Sequence, residues 1–284
     1  MVRRGDDLAW SSLSLAEPPQ TKSARFLVSF PTAARYSPRV SESLVVNEIY
    51  LSLQGESTFA GLPCVFIRLT ACNLRCSYCD TAYAFTEGKR RSLEDIMTEV
   101  ERLAESYERS AASGQRLPLV ELTGGEPLLQ PNSLPLMQRH CDAGFTVLLE
   151  TSGALDIAPV DARVRRIMDL KCPSSGEVAR NRWENLAHLK ATDEIKFVIG
   201  TVQDYEWTKE QIAKHALAAL CPLLLSWVTP LQPHQQDKVL KPVPAGQTPI
   251  ARLDLVERII ADALPVRFQL QMHKLVWAPD QRGV

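Results

Sequence analysis

From Leu44 onward, short apolar segments suited to strands alternate with segments of helical period, and this alternation limits the fold more than any other feature of the chain. The candidate strands are Val65 to Leu69, Leu119 to Leu122, Phe145 to Leu149, Ile167 to Leu170, Glu194 to Ile199, Leu223 to Thr229 and Val266 to Leu270. Between them, Leu93, Ile96, Val100, Leu103 and Tyr107 share one helical face, and further helical stretches run near Leu134 to Ala143, Tyr205 to Leu220 and Leu253 to Leu264. Ser92, with Asp95 three positions on, reads as the N-cap of the first helix. Strand then helix, repeated about six times, is the pattern of an α/β fold with a parallel sheet covered by helices. Right-handed crossovers would curl that sheet into a full or partial β/α barrel. In such folds the chemistry collects in loops leaving the C-terminal ends of the strands.

Residues 1–43 mix Arg, Ser, Ala and Pro without a sustained period, which predicts a disordered or weakly ordered N-terminal extension ahead of a catalytic domain over residues 44–284. A transit-peptide reading is interrupted by Asp6, Asp7 and Glu17. The formal net charge of -1 supplies no global basic field for a nucleic-acid backbone, so no direct nucleic-acid partner is expected. No apolar run approaches the ~20 residues that span a bilayer, which points to a soluble, cytoplasmic protein without a membrane partner. Seven cysteines suit a disulfide framework poorly, and three fall within eight positions, which favours reduced thiolates on a metal.

Those three are Cys72, Cys76 and Cys79, a CxxxCxxC array in the loop that follows the strand ending at Leu69. Three thiolates satisfy three irons of a cubane cluster and leave the fourth iron open to a small molecule. Read alone, the array also admits a zinc site completed by a distant ligand such as Cys64, or a cluster of buried cysteines. Zinc motifs usually pair two knuckles, and no second knuckle follows. Cys64, Cys141, Cys172 and Cys221 read as small buried apolar groups, and His140, His188, His215 and His234 share no metal-binding spacing.

The array, followed after the strand Leu119 to Leu122 by Thr123-Gly124-Gly125-Glu126-Pro127, resembles the radical S-adenosylmethionine (SAM) superfamily from about Val45 to Pro279. Within it, the segments Asn47 to Ser57, Gly61 to Leu69, Cys79-Asp80-Thr81, Asp169 to Gly176 and Gln271-Met272-His273-Lys274 are similar to the 7-carboxy-7-deazaguanine synthase family. The resemblance implies a partial barrel of the radical SAM type and one [4Fe–4S] cluster held by Cys72, Cys76 and Cys79. It also implies a lyase that converts 6-carboxy-5,6,7,8-tetrahydropterin to a deazapurine with loss of ammonia, on the route to queuosine. The superfamily's shared chemistry begins with reductive cleavage of S-adenosylmethionine and removal of a hydrogen atom from the substrate.

Carried over by residue, the resemblance assigns Leu53, Gln54, Gly55, Glu56, Arg68, Thr123 and His273 to the pterin substrate. It assigns Tyr78, Cys79, Asp80, Gly125, Lys171 and Ser174 to S-adenosylmethionine, and Thr81 to a magnesium ion (Mg2+). The chemistry agrees: Arg68 offers a planar fork to a carboxylate, and Gln54 and Glu56 suit the donor and acceptor edge of a pterin. One hydroxyl fits a hard ion that keeps waters and takes its other oxygens from the substrate. Without the resemblance, Arg68 reads as a surface salt bridge, His273 as a core histidine and Thr81 as a turn former. Related chains often stop at the position of Pro279, with a terminal carboxylate near the substrate. Here Asp280 to Val284 follow, so that contact is not carried over, whereas His273 is. A homodimer and a reductase such as a flavodoxin-like electron donor are further implications. A glycyl-radical enzyme activase would share the cysteine array, but Gln54-Gly55-Glu56 and Arg68 suit a small carboxylated heterocycle rather than a peptide glycine.

Overall fold

A computed structural model of the chain describes residues 42–110, 118–278 and 281–284. The predicted N-terminal extension therefore lies, through residue 41, outside the described residues, as do Pro279 and Asp280.

Among the described residues nine strands form one open sheet in the order β3-β1-β2-β4-β5-β6-β7-β8-β9. They are β1 (Ser43–Leu53), β2 (Pro63–Leu69), β3 (Lys89–Ser92), β4 (Leu119–Gly124), β5 (Thr146–Thr151), β6 (Arg165–Leu170), β7 (Glu194–Ile199), β8 (Leu223–Trp227) and β9 (Arg267–Gln269). From β2 to β9 every pairing is parallel. The helices are α1 (Leu93–Ser110), α2 (Ser133–Asp142), α3 (Val202–Lys214), α4 (Arg252–Ala261) and the short α5 (His273–Val276). This is the partial β/α barrel expected, and each expected strand is present within a few residues of its predicted bounds.

Two antiparallel strands were not expected. β1 pairs antiparallel with both β2 and β3, extending the sheet beyond its parallel part. Polar residues interrupt β1, and β3 is Lys-Arg-Arg-Ser, so neither shows the apolar run that marks a strand buried on both faces. A bulge at Asn47 shifts the β1–β2 register, and the Asn47 side chain turns aside to donate to the Glu87 carbonyl at 2.8 Å. Beyond the bulge Glu48 pairs with Arg68 and Tyr50 with Phe66. Without that extra residue the alternation would put Glu48 on the other face.

Helix boundaries follow local chemistry. The Ser92 hydroxyl accepts from Asp95 N at 3.1 Å, as the N-cap reading requires, and Leu93, Ile96, Val100 and Ala104 are buried beneath α1. α3 starts earlier than predicted because Thr201 and Asp204 form a capping box, and it stops at Lys214 because Ala216 takes a left-handed conformation with φ 49°. Among the described residues no helix is long and apolar enough to cross a membrane.

Period-two alternation gives the sheet two unlike faces. Val65, Ile67, Val120, Leu122, Leu149, Ile195 and Phe197 belong to the large core shared with the helices. On the other face Cys64, Phe66, Leu119, Leu148 and Ile167, with Tyr50 and Phe59 against them, form a smaller apolar plug. One step toward the C-terminal strand ends that same face turns polar, with Arg68 beside Thr123 and Asp169 beside Lys196 in register. The plug is the floor of the site, and the polar layer is its lower wall.

His140, on α2, is fully buried edge-on to Phe145, and neither ring nitrogen has a hydrogen-bond partner among the described residues. Burial holds its pKa down at about 4, against an ordinary 6.5. The unfolded chain thus takes this proton at a higher pH than the folded one, so the stability present above pH 6.5 falls as the pH drops toward 4. The loss from this group is on the order of 3 kcal/mol. Chemical denaturation at pH 7 and pH 4.5 should show His140→Leu losing less stability on acidification than the wild type; equal losses would remove the histidine as the cause.

Candidate active site

A cavity of about 790 Å3 opens at the C-terminal ends of the strands. It brings together the sequence-predicted residues of all three groups, from Leu53-Gln54-Gly55-Glu56 and Arg68 through Cys72, Cys76, Tyr78, Cys79, Asp80 and Thr81 to Thr123, Gly125, Lys171 and His273. Ser174 is the exception, since it is buried behind the wall. Its N–H and hydroxyl donate to Asp204 at 2.7 and 2.6 Å, and its carbonyl accepts from the Ser77 hydroxyl at 2.7 Å. It supports the cysteine loop from beneath.

That loop is secured on several sides. Ser77 N donates to the Ser175 carbonyl at 3.0 Å, Arg75 N to Glu177 at 2.7 Å, and Lys241 N to the Arg75 carbonyl at 2.9 Å. The Arg75 guanidinium lies 4.2 Å over the Phe85 ring. The paired glycines at the end of β4 permit a further contact. A Cβ on Gly125 would fall on the Ala71 carbonyl, and Gly124, at φ 127°, presses its backbone on Leu69.

Burial raises the pKa of all three loop thiols, Cys76 to about 11 and Cys79 to about 12, with Lys171 acting in the opposite direction. Protein groups alone therefore leave them protonated, and a bound metal would have to supply the charge that makes them thiolates. Among the described residues no three His, Cys, Asp or Glu side chains converge as ligands of a single ion. Three thiols that face one cavity without converging suit a cubane, in which each thiolate takes a separate iron. Of the groups lining the cavity, the Tyr78 hydroxyl and Asp169 Oδ1 are buried without hydrogen-bond partners among the described residues. Each would cost about 1–3 kcal/mol left so, which fits a cavity built around polar ligands.

Asp80 joins the cysteine loop to the far end of the chain. Its Oδ1 accepts from the Thr81 hydroxyl at 2.7 Å, and its Oδ2 accepts from Lys274 Nζ. Burial would raise its pKa, but Lys274 and Thr81 outweigh burial and hold it far below the usual carboxylate range. The donation from Thr81 leaves the lone pairs of that hydroxyl available to a cation.

On the opposite wall the side chains hold one another. Gln54 donates to Glu121 and accepts from Glu56 N at 3.0 Å, so its amide shapes the 54–56 turn. Glu56 accepts from the Ser226 hydroxyl at 2.8 Å and from Lys196 at 3.0 Å. Arg68 spends Nε on Glu48 at 2.7 Å and one Nη2 hydrogen on the Tyr50 hydroxyl at 2.8 Å, leaving the Nη1 side of its fork for a ligand. It is a buried clamp rather than a surface salt bridge. The His273 ring lies against Gly55, where a Cβ would come within 2.5 Å of Nδ1, and burial lowers its pKa.

Lys196 is the group that reading the sequence missed. It projects from β7 between Glu150, Glu56 at 3.0 Å and Asp169 at 3.9 Å, with its side chain 4% exposed. Burial would neutralise it, but those carboxylates keep its pKa well above the ordinary value. Glu150, also bonded to Thr123 at 3.0 Å, is held below the usual range by Lys196 despite burial, whereas burial and Glu150 push Glu121 well above it. A charged residue in the middle of an otherwise apolar strand was the available signal, as at Lys196 in Glu-Ile-Lys-Phe-Val-Ile and Glu121 in Leu-Val-Glu-Leu-Thr-Gly.

A profile of the Radical SAM superfamily matches residues 66–175. A 7-carboxy-7-deazaguanine synthase of Koribacter versatilis is 42% identical over 84% of this chain and 99% of its own length. One of Chlorobaculum tepidum is 40% identical over 85% of this chain and 97% of its own. The crystal structure of QueE from Escherichia coli superposes with a TM-score of 0.58 at 23% identity, covering 82% of this chain and 95% of that one, which shows the same fold. With its cysteine loop, glycine pair and polar strand ends in one cavity, and with such identity over nearly the whole of these relatives, the chain belongs to the 7-carboxy-7-deazaguanine synthase family of radical SAM proteins.

Proposed function

We infer that this chain converts 6-carboxy-5,6,7,8-tetrahydropterin to 7-carboxy-7-deazaguanine with loss of ammonia, a carbon–nitrogen lyase reaction in queuosine biosynthesis. The observation that carries this reading is the near-complete coverage of the two deazaguanine synthases together with a cavity that sets Arg68 and Glu56 across from the cysteine loop. Residues 44–284 are the catalytic domain. Cys72, Cys76 and Cys79 would hold the [4Fe–4S] cluster, and S-adenosylmethionine would sit against Tyr78, Cys79, Asp80, Gly125 and Lys171. When bound, the cluster and S-adenosylmethionine supply the electron and the hydrogen-abstracting group.

The protein's own work is positioning. The open side of Arg68 takes the substrate carboxylate, held in plane by Glu48 and Tyr50. Glu56, Thr123 and His273 orient the ring, and the remaining amide hydrogen of Gln54 completes that edge. Thr81, its proton given to Asp80, serves the magnesium ion. Ser174 acts through the loop it supports rather than by touching the cofactor. A peptide substrate, as for an activase, is disfavoured because the inner wall is a closed set of paired charges scaled to a small polar molecule.

The protein is expected to work in the cytoplasm as a homodimer, reduced by a flavodoxin-like donor. Leu253, Ile260, Leu275 and Val276, each more than half exposed beside the short edge strand β9, support the pairing of two copies.

The decisive experiment is anaerobic reconstitution with iron and sulfide, then incubation with reductant, S-adenosylmethionine, magnesium and 6-carboxy-5,6,7,8-tetrahydropterin. Expected are a brown protein and 7-carboxy-7-deazaguanine by mass, with both colour and product lost in Cys76→Ala; a colourless protein would favour a zinc site on the three cysteines instead. 5′-Deoxyadenosine without the deazapurine would sink the substrate assignment alone. Arg68→Lys removes the planar fork, a charged hydrogen bond of about 1.5–3 kcal/mol. Steady-state kinetics should therefore show KM for the pterin rising tenfold or more, and an unchanged KM would remove Arg68 from the substrate. Omitting magnesium should slow turnover in the wild type, and in Thr81→Val the response to added magnesium should be blunted; equal responses would take Thr81 out of the metal site.

A further inference from the structure

Residues 271–276 connect the two walls of the cavity. Their hydrogen bonds to the rest of the described chain run to two places only: Met272 N donates to the Gly55 carbonyl at 2.9 Å, while Gln271 Nε2, at 3.4 Å, and Lys274 Nζ donate to Asp80 Oδ2. The first attachment reaches the Gln54–Glu56 turn, the second the Cys79–Thr81 loop. Both segments line the cavity, and both are far from α5 in sequence.

Lys274 is built for this place rather than for solvent. Its side chain is 8% exposed, and besides Asp80 its ammonium donates to Gln271 Oε1 at 2.6 Å. The next two residues, Leu275 and Val276, are 65% and 58% exposed, so among the described residues of one copy the outer side of α5 is left uncovered. Within one copy, the hydrogen bonds that place α5, and His273 at its start, are therefore those to Gly55 and to Asp80. Asp80 in turn carries Thr81 on its other oxygen at 2.7 Å.

We propose that Lys274 is a positioning residue that couples the two ligand sites: its ion pair with Asp80 ties the ordering of the cofactor loop to the seating of His273 over the substrate. A ligand that settles the Cys79–Thr81 loop fixes the carboxylate that Lys274 grips, and so presets His273 against Gly55. A ligand that engages His273 transmits the same constraint in reverse, since coupling between two sites is reciprocal in free energy. S-adenosylmethionine and the pterin then bind with positive cooperativity, of a size in the usual range for coupled sites, about tenfold. This rests on the site assignments of the preceding subsection.

The test uses cluster-loaded protein kept anaerobic and without reductant, so that no turnover occurs. Calorimetry gives the affinity for S-adenosylmethionine with and without saturating 6-carboxy-5,6,7,8-tetrahydropterin and magnesium, and then the reverse titration. In the wild type each ligand should tighten the other about tenfold and by the same factor. In Lys274→Met and Lys274→Gln that factor should fall to near one, while the affinity for each ligand alone changes far less; Lys274→Arg, which keeps the charge, should restore part of it. Two variants of unlike shape guard against one that fails to load its cluster. Equal affinities with and without the second ligand in the wild type, or full coupling in either neutral variant, would overturn the proposal and leave the substrate assignment standing. A wild type that binds S-adenosylmethionine but not the pterin would overturn both.

Discussion

The site is organised around a single ammonium group placed where an ammonium is costly. Lys196 rises from a central strand into a nearly dry interior and meets Glu56, Glu150 and Asp169. Removing the ammonium would leave the carboxylates gathered around it without their counter-charge, a cost of several kcal/mol, and its contacts tie β5, β6 and β7 and the turn after β1 to one another. Directional pairing of this kind does what the apolar plug beneath it cannot. The plug fills space, while the charge network dictates which oxygen points where. Glu150 aims Thr123, Glu56 aims Ser226, and the Glu121–Gln54 contact sets the backbone against which His273 lies.

A second assembly supports the cysteine loop, and it is built mainly from backbone groups. Ser77, Arg75 and Lys241 anchor the loop to the turn after β6 and to the long connection after β8. Gly124 and Gly125 let β4 press directly on the chain before Cys72. A loop anchored in this way presents its three cysteines to one cavity, where each could take a separate iron. Asp80 is where the two assemblies meet, with Thr81 on one oxygen and Lys274 on the other.

Much of this was legible beforehand, for identifiable reasons. The parallel strands buried on both faces are near-continuous apolar runs, so Glu194 to Ile199 was bounded to the residue and the others nearly so. β1 and β3 escaped because a strand interrupted by polar residues, or an edge strand with no apolar residue at all, carries no such signature. Of the predicted site residues, those in the cysteine loop and the glycine turn were close in sequence to the motifs that announce them. Ser174 was placed on the cofactor by resemblance; its N–H and hydroxyl are bonded to Asp204, a partner thirty residues on that the motif does not announce. Lys196, Glu150 and Glu121 each sit in an apolar strand that reads as core, and their purpose depends on partners far away in the chain.

Local chemistry in the sequence decided the element types, the cap at Ser92, the loop that carries three thiols and the glycines that let two loops touch, because each of these is a property of a few neighbouring residues. Tertiary structure decided the rest. The bulge at Asn47 determined that Glu48 faces Arg68, and sheet register put Asp169 beside Lys196. The return of the chain at α5 delivered Lys274 to Asp80. A charge in an apolar strand can be seen from sequence alone, but whether it is paired, and with what, is a matter of distances between residues that only folding brings together.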